Sequence, residues 1–365
     1  MSSHGFGVVG AGVIAATHAE AIAALPSATL VAVTDVQPDA AAGLARAHGC
    51  AAEPGLGALL ARDDIDVVSV CVPSGLHAEV GVRAAAAGKH LVVEKPLDVT
   101  LDAADRLIGA AGDAGVAMTV ISQHRFDPGL IELRRLLDDG ILGRLVLGEA
   151  STKWYRTQGY YDSARWRGTS ALDGGSLMNQ GIHYVDLLRW CMGPVAEVTA
   201  VCTTLAHQIE AEDVALALLR FGSGAVGTIV TSTAVFPGLA QRLEITGTNG
   251  TVTVEDGEIV RRALVPGVPA GVTGEDGARP AAPAADDGPG GAADPASPGG
   301  AADPAAIGAD THAAQIADFL AAIDEGRAPA VTAEDGRNAL EIVCAVYESA
   351  REGRTVVLPG ARDPR

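Results

Sequence analysis

Apolar residues in the first third of the chain gather in short runs that are separated by segments with helical spacing. The segment 101–114 is one such helix, with Thr100 placed to cap its start and Gly115 to end it. Strands that alternate with helices in this way form a parallel sheet with helices on both faces. The predicted strands are Phe6–Val9, Thr29–Thr34, Ile65–Val72, Lys89–Val93 and Val116–Ser122.

Beyond Ser122 the pattern changes to longer segments in which apolar and polar residues alternate. Such alternation, with short glycine turns between segments, is typical of an antiparallel sheet with one buried face. We place a domain boundary near residue 124, between a domain at 1–123 and a second domain at 124–365. The strands predicted for the second domain are Leu145–Lys153, Val195–Leu205, Val214–Phe221, Ala225–Thr233, Gln241–Gly247 and Thr251–Glu255.

Residues 266–309 are dominated by Ala, Gly, Pro and Asp and have no apolar periodicity. This composition predicts a flexible, low-complexity insertion within the second domain. Two helices, Thr311–Asp324 and Glu334–Arg351, and a short strand, Thr355–Leu358, are predicted to follow it. The fold class is therefore an α/β N-terminal domain followed by an α+β C-terminal domain with a large, mainly antiparallel sheet.

Composition narrows the possible partners. The net charge of −19 argues against binding to nucleic acid or to an anionic membrane through bulk electrostatics, and no apolar stretch is long enough to span a bilayer. The five cysteines are scattered and form no CxxC pair, which favours reduced thiols and a cytoplasmic location. The histidines form no HExxH motif, so we predict no metal site.

The turn after the first strand carries the sequence Gly10-Ala11-Gly12-Val13-Ile14-Ala15, a GxGxxA motif. Gly10 permits the tight turn, Gly12 lets a pyrophosphate approach the backbone, and the following helix N-terminus offers free N–H groups to the phosphates. Asp35 ends the next strand, where a carboxylate accepts both hydroxyls of an adenosine ribose and repels a 2′-phosphate. The motif therefore predicts a dinucleotide site that favours NAD over NADP.

Three further stretches bring polar groups toward this groove. The strand 89–93 runs into Glu94-Lys95-Pro96, where Lys95 is either a proton-carrying group at a ligand site or a solvated lysine at a strand end. A loop near 154–168 collects aromatic residues and arginines, which suits a sugar-binding pocket or a loop that packs on its own aromatic residues. On a predicted helix over 177–192, Asn179 and His183 share one face, and Asp186 could orient the imidazole.

Taken together, these residues make the chain resemble the Gfo/Idh/MocA family, named after glucose–fructose oxidoreductase and inositol dehydrogenase. The resemblance rests on Gly10–Ala15 with Asp35, on Glu94-Lys95-Pro96, on Asp173-Gly174-Gly175, and on the helix with Asn179 and His183. It covers nearly the whole chain except 266–309. The chain is also similar to a subgroup that includes nucleotide-sugar 3-dehydrogenases in two stretches, Trp166-Arg167-Gly168-Thr169 and Met178-Asn179-Gln180-Gly181-Ile182-His183.

The resemblance implies an N-terminal Rossmann domain and an open C-terminal sheet that mediates homodimers or homotetramers. It also implies hydride transfer between NAD and a ring carbon of a sugar, inositol or sugar derivative. Lys95 and His183 match the catalytic lysine and histidine of the family, whereas Asn179 stands where many members carry Asp, so Asn179 is expected to position a hydroxyl rather than to act as a base. Two other functions stay open: a non-catalytic NAD-binding regulator, and glycoside cleavage through transient oxidation.

These arguments assign the following residues. Catalysis is assigned to Lys95, His183 and Asn179. Cofactor binding is assigned to Gly10, Gly12, Val13, Ile14, Asp35, Pro73, His77, Glu94, Lys95 and Gln123. Substrate binding is assigned to Arg125, Tyr155, Arg156, Trp166, Arg167, Asn179 and His183. His312, at the start of a C-terminal helix, is expected either to reach the site or to cap the helix or lie at the surface.

Overall fold

A computed structural model describes residues 3–268 and 308–359 of the chain. The predicted low-complexity insertion at 266–309 lies almost wholly outside these residues. The proposed domain limits, 1–123 and 124–365, stay a prediction. Within the described ranges, no helix combines the length and apolar character needed to cross a membrane.

The N-terminal sheet has six parallel strands in the order β3-β2-β1-β4-β5-β6. The order reverses at β1, so a crevice opens where β1 and β4 end, which is the usual ligand position in such sheets. The elements of this part are β1 (His4–Val9), α1 (Val13–Ala23), β2 (Ala28–Thr34), α2 (Pro38–His48), β3 (Ala51–Ala52), α3 (Leu56–Leu60), β4 (Val67–Val70), α4 (His77–Ala86), β5 (His90–Val93), α5 (Leu101–Ala114) and β6 (Met118–Val120).

The second sheet has eight strands in the order β13-β12-β11-β7-β10-β9-β8-β14. Every neighbouring pair is antiparallel except β7 and β10, so the sheet is mainly antiparallel, as the alternating pattern predicted. The remaining elements are α6 (Pro128–Asp138), β7 (Leu145–Lys153), α7 (Gln158–Asp162), α8 (Ile182–Met192), β8 (Val195–Thr203), β9 (Val214–Phe221), β10 (Val226–Ser232), β11 (Arg242–Gly247), β12 (Gly250–Glu255), β13 (Glu258–Leu264), α9 (Asp310–Glu325), α10 (Ala333–Glu352) and β14 (Val356–Val357).

Local signals set several of these boundaries. The Thr100 hydroxyl accepts a hydrogen bond from the Ala103 amide at the start of α5, and Gly115 ends the helix in a left-handed conformation, as predicted. A short 3₁₀ turn occupies Ser74–Leu76, so the α-helix that follows β4 begins only at His77. The predicted helix over 177–192 is divided into a π-helical turn at Ser176–Gly181 and α8.

The last part of the chain returns to the N-terminal sheet. Ile316 and Phe319 of α9 are fully buried in one hydrophobic cluster with Phe6 and Val8 of β1 and Ile22 of α1. Helix α10 packs on β8 and α8 and also contacts α5 of the N-terminal part. The return of α9 places the start of that helix, including His312, beside the crevice of the parallel sheet.

Candidate active site

One large cleft, of about 1140 Å³, opens at the carboxyl ends of β1, β4 and β5 and reaches the aromatic loop that follows β7. This volume exceeds that of most small-ligand pockets, so it has room for a dinucleotide together with a sugar-sized ring. Most residues assigned from the sequence line it. They are Gly10, Gly12, Val13, Ile14, Asp35, Pro73, His77, Glu94, Lys95, Gln123, Arg156, Trp166, Arg167, Asn179 and His183.

The Gly-rich turn has the geometry that a dinucleotide needs. Gly10 has a φ of +97°, and a Cβ atom there would lie 2.4 Å from the Cys71 carbonyl oxygen, so only glycine fits. A Cβ on Gly12 would meet nothing within 4 Å, because this residue faces open space in the cleft. No side chain caps the N-terminus of α1, which leaves its first amide groups available to an anion. These features fit the pyrophosphate of NAD.

Asp35 lies on the same cleft at the end of β2. Its carboxylate accepts hydrogen bonds of 2.7 Å from the amides of Ala11 and Gln37, which fix its position next to the Gly-rich turn. A carboxylate has about four acceptor positions, so these two bonds leave capacity for ribose hydroxyls. The arrangement is the one expected for an NAD site.

Glu94 is held by three separate segments of the chain. Its carboxylate is 2.8 Å from His18 Nε2 of α1, accepts a hydrogen bond from the Lys95 amide, and lies 3.7 Å from His312 Nε2 of α9. Burial alone would raise the Glu94 pKa, but the hydrogen bond to His18 and the proximity of His312 bring it well below its usual value. Glu94 therefore fixes the backbone that carries Lys95.

The same three side chains are the group within the described residues whose ligand atoms lie close enough, within 4.8 Å, to hold a metal ion. Both ring nitrogens of His18 are already engaged, one by Ser69 Oγ at 3.1 Å and the other by Glu94. Burial lowers the His18 pKa, but Cys71 and Glu94 outweigh it and raise the value to about 10. With both ring nitrogens of His18 hydrogen-bonded, His18 and Glu94 form a buried ion pair.

His77 supports the turn after Lys95. Its ring nitrogens lie 2.7 Å from the carbonyl oxygen of Pro96 and 2.9 Å from that of Val72, and the side chain is buried. The ring thus links the segment after β4 to Pro96, which follows the cis peptide bond between Lys95 and Pro96. His77 contributes to the wall of the cleft mainly by holding these two strand ends together.

Lys95 and His183 occupy the centre of the cleft. The Lys95 ammonium donates a hydrogen bond of 2.9 Å to the backbone oxygen of Asn179, which precedes His183 by one turn. Burial lowers the pKa of Lys95, and the charges of Arg156 and Arg167 add to this effect. Burial, with the nearby charge of Lys95, also brings the His183 pKa well below its usual value, so the imidazole is neutral at neutral pH and can accept a proton.

The Asn179 side chain is fixed at both ends of its amide. Its nitrogen donates to the Asp173 carboxylate, and its oxygen accepts a bond of 3.1 Å from the Gln180 side chain. Burial raises the pKa of Asp173, although hydrogen bonds from Gly168 and Asn179 oppose the change. Asn179 cannot exchange a proton, so this arrangement makes it a rigid positioning group.

Two residues assigned to substrate binding lie elsewhere. Arg125 does not line the cleft, because its guanidinium makes a two-pronged ion pair with the buried Asp186 at 2.5–2.8 Å. For the same reason Asp186 does not orient His183, and that prediction was wrong. Tyr155 is more than one-third exposed and packs edge-on against Phe236 instead of facing the cleft.

Four residues that shape the substrate end were not assigned individually from the sequence. Trp154, Tyr160 and Gln180 line the cleft, and Asp173 faces Lys95. Tyr160 lies in the aromatic loop already singled out, so its aromatic character was the available signal. Asp173 belongs to the Asp173-Gly174-Gly175 motif of the family resemblance, whereas Gln180 becomes relevant only through the π-helical turn, for which the sequence has no marker.

Comparison with known proteins identifies relatives along most of the chain. Residues 4–122 match the family described as "Oxidoreductase family, NAD-binding Rossmann fold". Residues 130–253 match the "GFO/IDH/MocA C-terminal domain", and residues 307–358 match "Oxidoreductase family, C-terminal alpha/beta domain".

Among individual relatives, inositol 2-dehydrogenase of Rhizobium meliloti is 29% identical over 96% of this chain and 98% of its own length. Levoglucosan dehydrogenase of Pseudarthrobacter phenanthrenivorans is 25% identical over 69% of this chain and 73% of its own length. The crystal structure of the WlbA dehydrogenase from Bordetella pertussis, in complex with NADH and UDP-GlcNAcA, superposes with a TM-score of 0.82 at 31% identity, covering 98% of this chain and 99% of that one.

Proposed function

The chain belongs to the Gfo/Idh/MocA family of NAD-dependent oxidoreductases, and from this we propose that it interconverts a secondary hydroxyl and a ketone on the ring of a cyclic polyol or sugar derivative. The relatives support this substrate class. Their names specify an inositol and levoglucosan, and the WlbA structure holds a nucleotide sugar. Each of these compounds presents secondary hydroxyls on a six-membered ring.

The observation that carries the proposal is the position of Lys95 and His183 in one cleft with the Gly-rich turn. When bound there, NAD supplies the hydride acceptor, which is chemistry that side chains do not provide. In the oxidative direction His183, being neutral, takes the proton of the substrate hydroxyl. Lys95 donates a hydrogen bond to the same oxygen and stabilises the negative charge that develops there.

The other residues hold this pair in place. Glu94 and His77 fix the backbone around Lys95, and Asn179 accepts the lysine hydrogen bond through its backbone oxygen. The Asn179 side chain, held by Asp173, positions a neighbouring hydroxyl. Such rigid support matters because a misplacement of about 1 Å at a reacting centre costs roughly 100-fold in rate.

The test is an NAD-reduction assay with inositols, free sugars, anhydrosugars and nucleotide sugars, with NADP in parallel. We expect one of these classes to be oxidised with NAD, and Lys95→Met and His183→Asn each to lower kcat by about 100-fold or more while NADH binding is kept. Lys153→Met is the matched control, since Lys153 lies on β7 outside the cleft. Wild-type turnover in both cleft variants would contradict the assignment.

We further propose that the protein forms a homodimer or homotetramer through the eight-stranded sheet. Val201, Leu216, Leu218 and Val226 are exposed on this sheet, with Val201 directly opposite Leu216, and exposed large apolar residues of this kind are typical of interfaces. The variant Leu218→Asp should lower the mass measured by light scattering after size-exclusion chromatography; an unchanged mass would argue for a different interface.

The five cysteines form no disulfide, which supports a cytoplasmic location.

A further inference from the structure

The π-helical turn at Ser176–Gly181 carries groups that surround the reacting centre. Its Asn179 backbone oxygen accepts the hydrogen bond of Lys95, and the turn runs directly into α8, where His183 is the second residue. A π-helix bonds each amide to the carbonyl five residues back, so the amides at its start need partners from elsewhere. The positions of Lys95 and His183 therefore depend on what holds the start of this turn.

Glu212, which lies just before β9, supplies two of these partners. The residue before the turn is Gly175, which has no side chain to act as a cap. The first amide of the turn, that of Ser176, donates to the Glu212 backbone oxygen at 2.9 Å. The second amide, that of Leu177, donates to the Glu212 carboxyl at 2.7 Å. Glu212 therefore takes the place of an N-cap residue.

Two further elements complete this arrangement. The Ser176 hydroxyl donates to the Glu212 carboxyl at 3.3 Å and lies 3.1 Å from the Thr231 hydroxyl of β10. The third amide of the turn, that of Met178, donates to the Tyr347 hydroxyl of α10 at 3.2 Å. Burial and the nearby charge of Glu212 bring the Tyr347 pKa well above its usual value, so this hydroxyl keeps its proton. The start of the turn is thus fixed to β10, to α10 and to the segment before β9.

Gly175 makes room for the Glu212 carboxyl. A Cβ atom on Gly175 would overlap with both the carboxyl and the backbone oxygen of Glu212, so only glycine fits. Gly175 is the second glycine of the Asp173-Gly174-Gly175 motif, and this close approach gives a reason for it. Glu212 itself does not line the cleft, so it acts on the site through the turn.

The Glu212 side chain is buried, and the hydrogen bonds that it accepts come from uncharged groups. Burial raises its pKa to about 7, although the bonds from Leu177 and Ser176 oppose the change. An uncharged amide of the same shape is therefore a close substitute near neutral pH. A side chain too short to reach Leu177 would instead leave a buried amide without an acceptor, which is costly.

We propose that Glu212 is a positioning residue for the reaction: it caps the π-helical turn and thereby sets where the Asn179 backbone oxygen holds Lys95 and where His183 enters the cleft. This inference rests on the proposed function and adds a residue outside the cleft to it. Tyr347 supports the same turn through a single hydrogen bond.

The experiment compares Glu212→Ala, Glu212→Gln and Tyr347→Phe with wild type. Glu244→Ala is the matched control, because Glu244 on β11 is also partly buried and accepts a bond of 2.7 Å from the Thr253 hydroxyl, but it does not line the cleft or contact the turn. Steady-state kinetics use the compound of the panel above that reduces NAD fastest. Hydrogen–deuterium exchange followed by mass spectrometry is measured on the peptide 173–183 with NADH bound, and it needs no substrate.

We expect Glu212→Ala to lower kcat by roughly 10- to 100-fold, because Lys95 and His183 lose their alignment. The KM for NAD should stay within about twofold, since the Gly-rich turn and Asp35 belong to the other sheet. Glu212→Gln should restore most of kcat, and Tyr347→Phe, which loses one neutral hydrogen bond, should lower kcat by about 2- to 10-fold. Peptide 173–183 should exchange faster in Glu212→Ala and Tyr347→Phe but not in Glu244→Ala.

Wild-type kcat together with unchanged exchange of this peptide in Glu212→Ala would overturn the inference, and so would an equal loss of kcat in Glu244→Ala. If Glu212→Ala does not fold, Tyr347→Phe decides, because it keeps the ring and removes only the hydroxyl: wild-type kcat and exchange in that variant would overturn the inference. If no compound reduces NAD, the proposed function fails on this panel, and the exchange of peptide 173–183 still decides whether Glu212 holds the turn.

Discussion

Replacing Arg125 by methionine separates a structural role from the substrate-binding role first assigned to it. The guanidinium donates from Nε and NH2 to the two oxygens of Asp186, and its NH2 lies 3.3 Å from Asp335. The side chains of Arg125 and Asp186 are only 5% and 4% exposed. Methionine keeps most of the volume but leaves the Asp186 carboxylate buried without its cation.

The magnitude follows from this burial. Removing one partner of a buried ion pair costs about 3–5 kcal/mol, mainly because the remaining charge is left without compensation. Asp335 adds little, since it is partly exposed and water can replace the lost cation. A loss of this size corresponds to a shift of the guanidinium chloride midpoint on the order of 1 M.

Guanidinium unfolding followed by tryptophan fluorescence is the suitable assay, because Trp190 lies 5.3 Å from Arg125. Arg134→Met is the matched control. Arg134 stacks on the same Trp190 ring at 5.7 Å, but its carboxylate partner Asp138 is 63% exposed, so we expect less than about 1 kcal/mol. Any substrate found for the wild type should keep its KM within about twofold in Arg125→Met, measured well below the unfolding transition.

Two results would refute this reasoning. Equal midpoints for Arg125→Met and Arg134→Met would mean that the buried pair carries no special weight. A tenfold rise in KM with unchanged stability would restore Arg125 to the substrate site.

Three further predictions concern the cleft. Asp35→Ser should raise the KM for NAD by roughly 10- to 100-fold, because a charged hydrogen bond to the ribose is lost, and it should improve the use of NADP. Steady-state kinetics with both cofactors measure this, and an unchanged ratio of kcat/KM for NAD to kcat/KM for NADP would contradict the prediction. Because the His183 pKa is lowered, kcat/KM for oxidation should fall on acidification only below about pH 6.5, and this fall should be absent in His183→Gln. A fall that begins above neutral pH would mean that another group accepts the proton of the substrate. The raised His18 pKa gives stability that is complete below about pH 6.5 and is lost as the pH rises towards 10, whereas the lowered Glu94 pKa gives stability that is lost only on acidification. The unfolding free energies of wild type and Glu94→Gln should therefore converge between about pH 6.5 and 10, and a constant difference over this range would exclude the pair as the source.

Much of the fold follows from signals that act within a few residues. Helix α5 was predicted with its bounds because Thr100 and Gly115 mark its two ends. Comparison with known proteins confirms the family resemblance, the fold class and the choice of NAD. These could be predicted because the Gly-rich turn and Asp35 lie within a single βαβ unit, so the signal is local. Helix α2 was missed although Pro38 in its first turn and Gly49 at its end are ordinary signals for a helix.

The errors concern contacts between distant segments. Arg125 and Asp186 are 61 residues apart, and no periodicity indicates that they form a pair. Strand β13 was not predicted from the sequence. It carries charged residues at an exposed edge of the sheet, so its composition does not distinguish it from a loop. The cluster of His18, Glu94 and His312 joins three segments that only the return of α9 brings together.

That return has a consequence for the order in which the protein is made. The apolar side chains of Ile316 and Phe319 complete a core whose other half, around Phe6 and Ile22, leaves the ribosome almost a whole chain length earlier. Until synthesis is nearly finished, the nucleotide-binding half exposes this apolar surface and lacks His312 beside Glu94. A nascent chain released before α9 would therefore be a substrate for chaperones, and a graft of the nucleotide-binding half onto another protein would need α9 as a separate piece.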